Sequence, residues 1–308
     1  MDPLSDILTL LKPQSYLTAC LDAGGDWALR SDSGAGVIKC YAVTGGACWL
    51  RVEGVRDDMP LHTGDCIILP AGAPFTLASD LSLVPVPAQN VLGQASPGGL
   101  VVHNGGGDFL MVGTRFVVDA RKARALLGML PNVLFIRGAE GQAALRWSIE
   151  QMMSEMRDGA PGSALASHHL AHLMLLQAFR LYLSRAISDQ PAVLHALADP
   201  HLAKAIGAMH ARPAYRWTLA ELANQAGMSR SIFAQRFQQK VGETPIAYLT
   251  GWRMMLAAEH LAQGEERLAA IARSCGYESE NAFNTAFKRL MGCSPGRYAR
   301  LQRAPMAS

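Results

Sequence analysis

The sequence predicts an α+β protein of two domains: a β-barrel followed by helices, then an all-α domain in which a long helix joins two helix-turn-helix units. Three observations carry this. The 308 residues favour two domains over one. Short apolar runs broken by Gly, Pro, Asp and Ser give way near residue 120 to helical periodicity. The last third spells one supersecondary pattern twice.

Residues 1–12 read as a short amphipathic helix, with Leu4, Ile7, Leu8 and Leu11 at helical spacing. From about 15 to 118, runs such as VIKCYAV, ACWLRV, CIILP and FLMVGTRFVV predict antiparallel strands with frequent turns, as in a barrel or jelly roll. Gly105-Gly106-Gly107 lacks a following Lys and precedes a strand-like run, so it reads as a hairpin turn and not a phosphate loop. From about 120 to 185, ARKARALLGML, ALRWSIEQMMSEMRD and ALASHHLAHLMLLQAFRLYLSRAI read as helices. The third is apolar on more than one face and needs a deep core or a partner, so a homodimer through the N-terminal part is expected. These limits give a first domain at 1–185, a linker at 186–200 and a second domain at 201–303.

Composition bounds the class. With 50% hydrophobic and 17% charged residues the chain is not disordered. No apolar stretch reaches membrane-spanning length, and the N-terminus lacks the basic region of a signal peptide. Six scattered Cys without a CxxC pair support neither a zinc ribbon nor a disulfide framework, so a cytoplasmic location is expected. Residues 201–308 hold 14 basic and 7 acidic side chains, whereas residues 1–200 hold 14 and 18. A basic C-terminal third on an acidic body points to a polyanionic partner.

The repeat makes that partner specific. LANQAG ends at Gly227 and IARSCG at Gly276; Ser229, Phe233, Phe237, Gly242, Pro245 and Tyr248 recur as Ser279, Phe283, Phe287, Gly292, Pro295 and Tyr298. Each copy predicts a short helix, a turn at glycine, a serine N-cap and a second helix, over about 218–241 and 268–291. The buried stripes are expected at Phe233, Phe237 and Val241, and at Phe283, Phe287 and Leu290. The open faces carry Arg230, Ser231, Ala234, Gln235 and Gln238 in the first copy and Glu280, Asn281, Asn284, Thr285 and Lys288 in the second. Arg, Asn and Gln suit base edges; Lys288 and Arg289, with Lys240 in the first copy, suit phosphates. A helix over 246–263 separates the copies and spans roughly 27 Å at 1.5 Å per residue, close to one DNA turn.

These residues resemble the AraC/XylS family of bacterial transcription regulators across about 201–303. The run IARSCGYESENAFNTAFKRLMGCSPGRYAR carries most of it, through Ile271-Ala272, Gly276-Tyr277, Ser279, Phe283, Phe287-Lys288, Gly292, Ser294-Pro295, Tyr298 and Arg300. Thr285 stands where the family usually carries Arg or Lys. The N-terminal part is similar to the cupin-like sensor domain of one subgroup, through MDPLSDIL, Asp26 to Leu29 and GDCIILPAGAPF. The resemblance implies a regulator that binds double-stranded operator DNA, senses a small-molecule or redox signal in its N-terminal domain, dimerises, and has RNA polymerase as a further partner. Metal-binding cupins use His and Glu from two motifs. Here VIKCYAVTGGACWL lacks His and the second motif ends in Pro74-Phe75, so neither metal nor cofactor is expected.

Other constellations carry less. His168 and His172 share a helix face, but Leu and Met around them point to packing. Trp27, Tyr41, Trp49 and Phe75 are candidates to line an effector pocket in the barrel. No nucleophile–base arrangement has a recognisable context, so no enzymatic activity is expected. The alternatives are a cupin-type enzyme with an appended DNA-binding module, a cysteine-based redox-responsive regulator using Cys20, Cys40, Cys48 or Cys66, and an architectural DNA binder. The two open faces differ in side chains, which argues against the last.

Overall fold

The computed structural model describes residues 2–303 except 33, 35, 94–98, 128–129, 139–142, 186–192 and 265. Two compact units result: Pro13–Ala186, and Met1–Lys12 together with Ile187–Ser308. Helix α1 (Pro3–Leu11) opens the chain. Asp2 caps it by accepting from the Ser5 amide at 3.1 Å, and Pro3 fits the first turn. Its buried residues are Leu4, Ile7, Leu10 and Leu11, so the stripe includes Leu10, while Leu8 is only half-buried.

The unit at 13–186 is built of two sheets. Its strands are β1 (Gln14–Ala23), β2 (Ala28–Ser31), β3 (Val37–Gly45), β4 (Ala47–Val52), β5 (Met59–His62), β6 (Cys66–Leu69), β7 (Phe75–Ala78) and β8 (Val86–Pro87). Helix α2 (Ala88–Leu92), β9 (Leu100–His103), β10 (Phe109–Val117), α3 (Ala120–Leu127), β11 (Leu134–Ile136), α4 (Ala143–Asp158) and α5 (Ser163–Arg185) follow. The six-stranded sheet runs β11-β6-β3-β10-β1-β9 and the five-stranded sheet β5-β4-β7-β2-β8. One core joins their inner faces, through Leu21, Trp27, Tyr41, Leu50, Phe75 and Phe109. Helix α5 packs on β1, β6 and β11 and pairs with α4.

Two expectations are corrected here. The stretch after 120 is not wholly helical: Leu134–Ile136 pairs with β6 and forms the edge of its sheet. Gly105–Gly107 is not a hairpin turn, because β9 and β10 do not pair with each other. Both pair with β1, which runs between them, so the segment bridges the end of β1. Residues 104–107 all have positive φ, and the Asp22 carboxylate accepts from the Gly107 amide at 2.7 Å. A Cβ on Gly106 would meet that carboxylate at 2.8 Å.

The other unit is helical: α6 (Val193–Leu197), α7 (Pro200–Ala211), α8 (Leu219–Gln225), α9 (Arg230–Val241), α10 (Pro245–Gln263), α11 (Leu268–Ser274), α12 (Glu280–Met291) and α13 (Pro295–Arg303). Of the expected linker, 186–192 lies outside the described residues; the rest holds α6, a two-residue turn and the first residue of α7. Residues 1–12, expected with the first domain, pack in this unit: α1 contacts α6, α7 and α10. The reason is a second set of partners for the short helix. Asp6 Oδ2 lies 3.2 Å from His210 Nδ1, and His210 Nε2 lies 2.8 Å from Tyr248 Oη. The His210 ring stacks on Trp252 at 3.6 Å between centroids. Lys12 pairs with Glu259. Burial holds the His210 pKa down at about 3, so at neutral pH it is an uncharged hydrogen-bonding spacer between α1 and α10.

Candidate nucleic-acid interface

Each helix-turn-helix is fixed by local chemistry. In the first, Thr218 and Glu221 form a reciprocal capping box on α8. Gly227 turns the chain at φ 64°, and Ser229 caps α9 by accepting from the Ile232 amide at 3.4 Å. In the second, Gly276 has φ 79°, and Ser279 accepts from the Ala282 amide at 3.2 Å. A Cβ on Gly276 would meet the Ala214 carbonyl at 2.6 Å, so this turn excludes side chains on sterics as well as on φ.

The recognition helices sit on matched aromatic stacks. Phe233 and Phe237 lie 5.6 Å apart and Phe237 meets Tyr248 edge-on at 5.8 Å. Phe283 and Phe287 lie 5.7 Å apart and Phe287 meets Tyr298 edge-on at 5.6 Å. Val241 closes the first stripe and Met291 the second. Leu290, expected in that stripe, is 47% exposed. The spacing i, i+4, i+8 places residue 291 below Phe287, and residue 290 falls about 100° away.

Helix α10 is the spacer. Its 19 residues span about 28 Å. Tyr248, Leu249, Trp252, Met255, Ala258 and Leu261 bury one side, and Met254 and Ala257 extend the buried surface. Arg253 moors it by donating to the Pro213 and Tyr215 carbonyls at 2.6 and 2.8 Å. The result is a spacer held along its length, not a flexible tether.

The predicted side chains distribute unevenly. Arg230, Ser231 and Gln235 are exposed on α9. Gln238 is exposed but donates to the Gly242 carbonyl at 2.8 Å, where it closes the helix end. Lys240 and Ala234 are half-buried. On α12, Glu280, Asn281, Thr285, Lys288 and Arg289 are exposed. The Thr285 hydroxyl donates to the Asn281 carbonyl at 2.9 Å. Asn284 borders the core, with its Oδ1 buried and without a hydrogen-bond partner in the structure. Two further residues shape this face. Arg236 pairs with the buried Asp199 at 2.6 Å, tying α9 to the cap of α7. Ile232 is 56% exposed on the side of α9 turned away from its core, close to Gln235. The pattern could have flagged Ile232, the one apolar side chain outside the stripe in its first two turns other than Ala234.

In the two-sheet unit, Trp27, Tyr41 and Phe75 are buried between the sheets. Trp49 does not join them: it is 41% exposed, because on β4 Cys48, Leu50 and Val52 take the inward positions. The cavities beside Tyr41 and Phe75 are small, about 20 Å³ each. A larger one of about 260 Å³ lies on the other face of the six-stranded sheet, between β3 and α4, with Thr44, Thr63, Arg146, Ile149, Glu150 and Met153 in its wall. Among the described residues no three His, Cys, Asp or Glu are grouped to hold a metal ion. The His172 ring is engaged by the His168 and Pro13 carbonyls. The six Cys are buried and form no disulfide. Burial pushes the Cys20 thiol up to about 11 and raises Cys48; the Cys40 thiol is raised by its contact with Cys66, 4.0 Å away, and by burial.

A two-sheet unit joined to paired helix-turn-helix units on a rigid spacer defines a regulator-type architecture. Comparison places it in a family. A profile described as Cupin matches residues 2–184, and one described as Helix-turn-helix domain matches 222–301. A Streptomyces antibioticus protein named as an AraC-like transcription regulator is 42% identical over 97% of this chain and 98% of its own. The RCS-specific HTH-type transcriptional activator RclR of Escherichia coli K12 is 31% identical over 97% of each chain. Among solved structures, the DNA-binding domain of AdpA in complex with a target DNA aligns with 35% of this chain and 96% of its own, at 29% identity and a TM-score of 0.33. The chain belongs to the AraC-like family of transcription regulators.

Proposed function

We propose that this regulator reads an operator with α9 and α12 in successive major-groove segments, while the unit at 13–186 receives a signal and forms a homodimer. The observation that carries the reading is the pair of recognition helices, each held on an aromatic stack and each with an exposed polar face of its own. The N-terminal turns of such helices are the ones that reach base edges. Arg230, Ser231, Gln235, Asn281 and Thr285 stand there as base-reading candidates. Ile232 adds an apolar contact suited to a thymine methyl. Exposed Trp147 on α4 and Leu165 on α5 are the surface assigned to the second copy. A cavity of about 260 Å³ between β3 and α4 also has room for a small-molecule signal.

Alanine at Arg230 is expected to weaken specific binding and relax one operator position, each good base contact being worth about 1–3 kcal/mol. Ile232→Ala is expected to abolish sensitivity to one thymine-to-deoxyuridine exchange. Binding to a selected operator, measured base by base, checks both. Wild-type profiles for the two variants would show that the reading face lies elsewhere.

The excess of basic residues in 201–308 makes binding steeply salt-dependent, since each neutralised phosphate releases about 0.9 of a counterion. Lys288→Ala is expected to lower affinity for all duplexes alike and to reduce the salt slope by roughly one unit. A slope equal to that of wild type removes Lys288 from the phosphate contacts.

A further inference from the structure

Strands β3 and β10 set Lys39 directly opposite Arg115 in antiparallel register. Like charges at opposed positions repel. Lys39 is only 2% exposed. Its ammonium donates to Ser31 Oγ at 2.8 Å and lies 4.8 Å from the Phe75 ring centroid. Neither contact neutralises it. Arg115 is half-buried beside the Tyr41 hydroxyl. Among the described residues no carboxylate forms an ion pair with either cation, and the nearby Asp32 is paired with Arg30. A buried cation without counter-charge is strongly unfavourable, and two side by side more so. Burial, with Arg115 adding to it, lowers the Lys39 pKa to about 8, which leaves it mostly charged at neutral pH.

The surroundings describe what would satisfy the pair. The two cavities of about 20 Å³ adjoin Arg115 and share the walls Leu21, Tyr41, Leu92 and Met111; Ser31 and Phe75 line one of them. The walls are apolar and the charges are cationic. Leu92, a wall of both, belongs to α2, a five-residue helix without a side-chain N-cap.

We propose that Lys39 and Arg115 form the head-group site for a small organic carboxylate with a short apolar tail, bound between the two sheets. The inference rests on the reading of this unit as the signal receiver and assigns that signal a chemical class. It places charge recognition between the sheets, at Tyr41 and Phe75, and not in the larger cavity beside α4.

The test is thermal unfolding of the full-length protein with acetate, butyrate and neutral butyramide at constant ionic strength. Butyrate is expected to raise the melting temperature saturably, by about 5 °C at a large excess, as ligand linkage requires. Butyramide is expected to do nothing. Lys39→Met relieves the repulsion, so its melting temperature without carboxylate is expected to exceed that of wild type, and the butyrate increment is expected to vanish. Arg115→Gln is expected to lose the increment too, and supplies the answer if Lys39→Met does not fold. Any of three results overturns the site: no increment in wild type, an equal increment in the variants, or a Lys39→Met protein that folds but melts below wild type. Operator binding by wild type is measured alongside. Its absence marks failure of the regulator reading, whereas intact operator binding with no carboxylate response marks failure of this inference alone.

Discussion

Phe287→Ala is expected to destabilise the helical unit by about 3–5 kcal/mol. Phe287 has no exposed surface and touches both Phe283 and Tyr298, so truncation leaves a cavity at the junction of α12 and α13. A loss of that size is comparable with the whole stability of a small domain. The second recognition helix then comes loose, and operator affinity falls to that of the first unit or below. Chemical denaturation gives the magnitude. Leu290→Ala is the control: this side chain is 47% exposed, and the expected change is within about 0.5 kcal/mol. If Leu290→Ala cost as much as Phe287→Ala, the packing described for α12 would be wrong.

Inserting about five base pairs between the two half-elements of the operator is expected to cut affinity by about 100-fold or more. Half a helical turn carries one major-groove segment to the opposite side of the duplex. The avidity of two linked contacts then disappears, because the second unit has no way to reach its site. A full-turn insertion is not expected to restore binding. Helix α10 is a single element of 19 residues, buried along one side and moored by Arg253, and does not lengthen by another turn of DNA. Retained affinity after the half-turn insertion would mean that one unit reads alone. Gel-shift titration of the three duplexes decides this.

What was legible in the sequence follows from how local the determining chemistry is. The helix-turn-helix units announce themselves because Gly227 and Gly276, Ser229 and Ser279, and the phenylalanine pairs act within a few residues of each other. Leu290 and Met291 are apolar neighbours, and the i+8 relation seen at Val241 points to Met291. Non-local features were hidden. The bridge at Gly105–Gly107 depends on β1 lying between β9 and β10, and nothing in the glycine run encodes strand order. Helix α1 is amphipathic in sequence, but its partner His210 lies some two hundred residues away. Trp49 reads as a pocket residue in the sequence, whereas the pairing of β4 with β7 sets which side faces inward. Lys39 sits in VIKCYAV as an ordinary interruption of an apolar strand; only the register with Arg115 makes it an oddity.

The measurement that bears most directly on the central claim is footprinting of the full-length protein on a duplex selected from a random library. Two protected major-groove segments about one helical turn apart on the same face are expected, with specific binding at least about 10³-fold tighter than to random duplex at physiological salt. Failure of the selection to converge, or uniform protection with a specificity ratio near one, would contradict sequence reading by paired recognition helices.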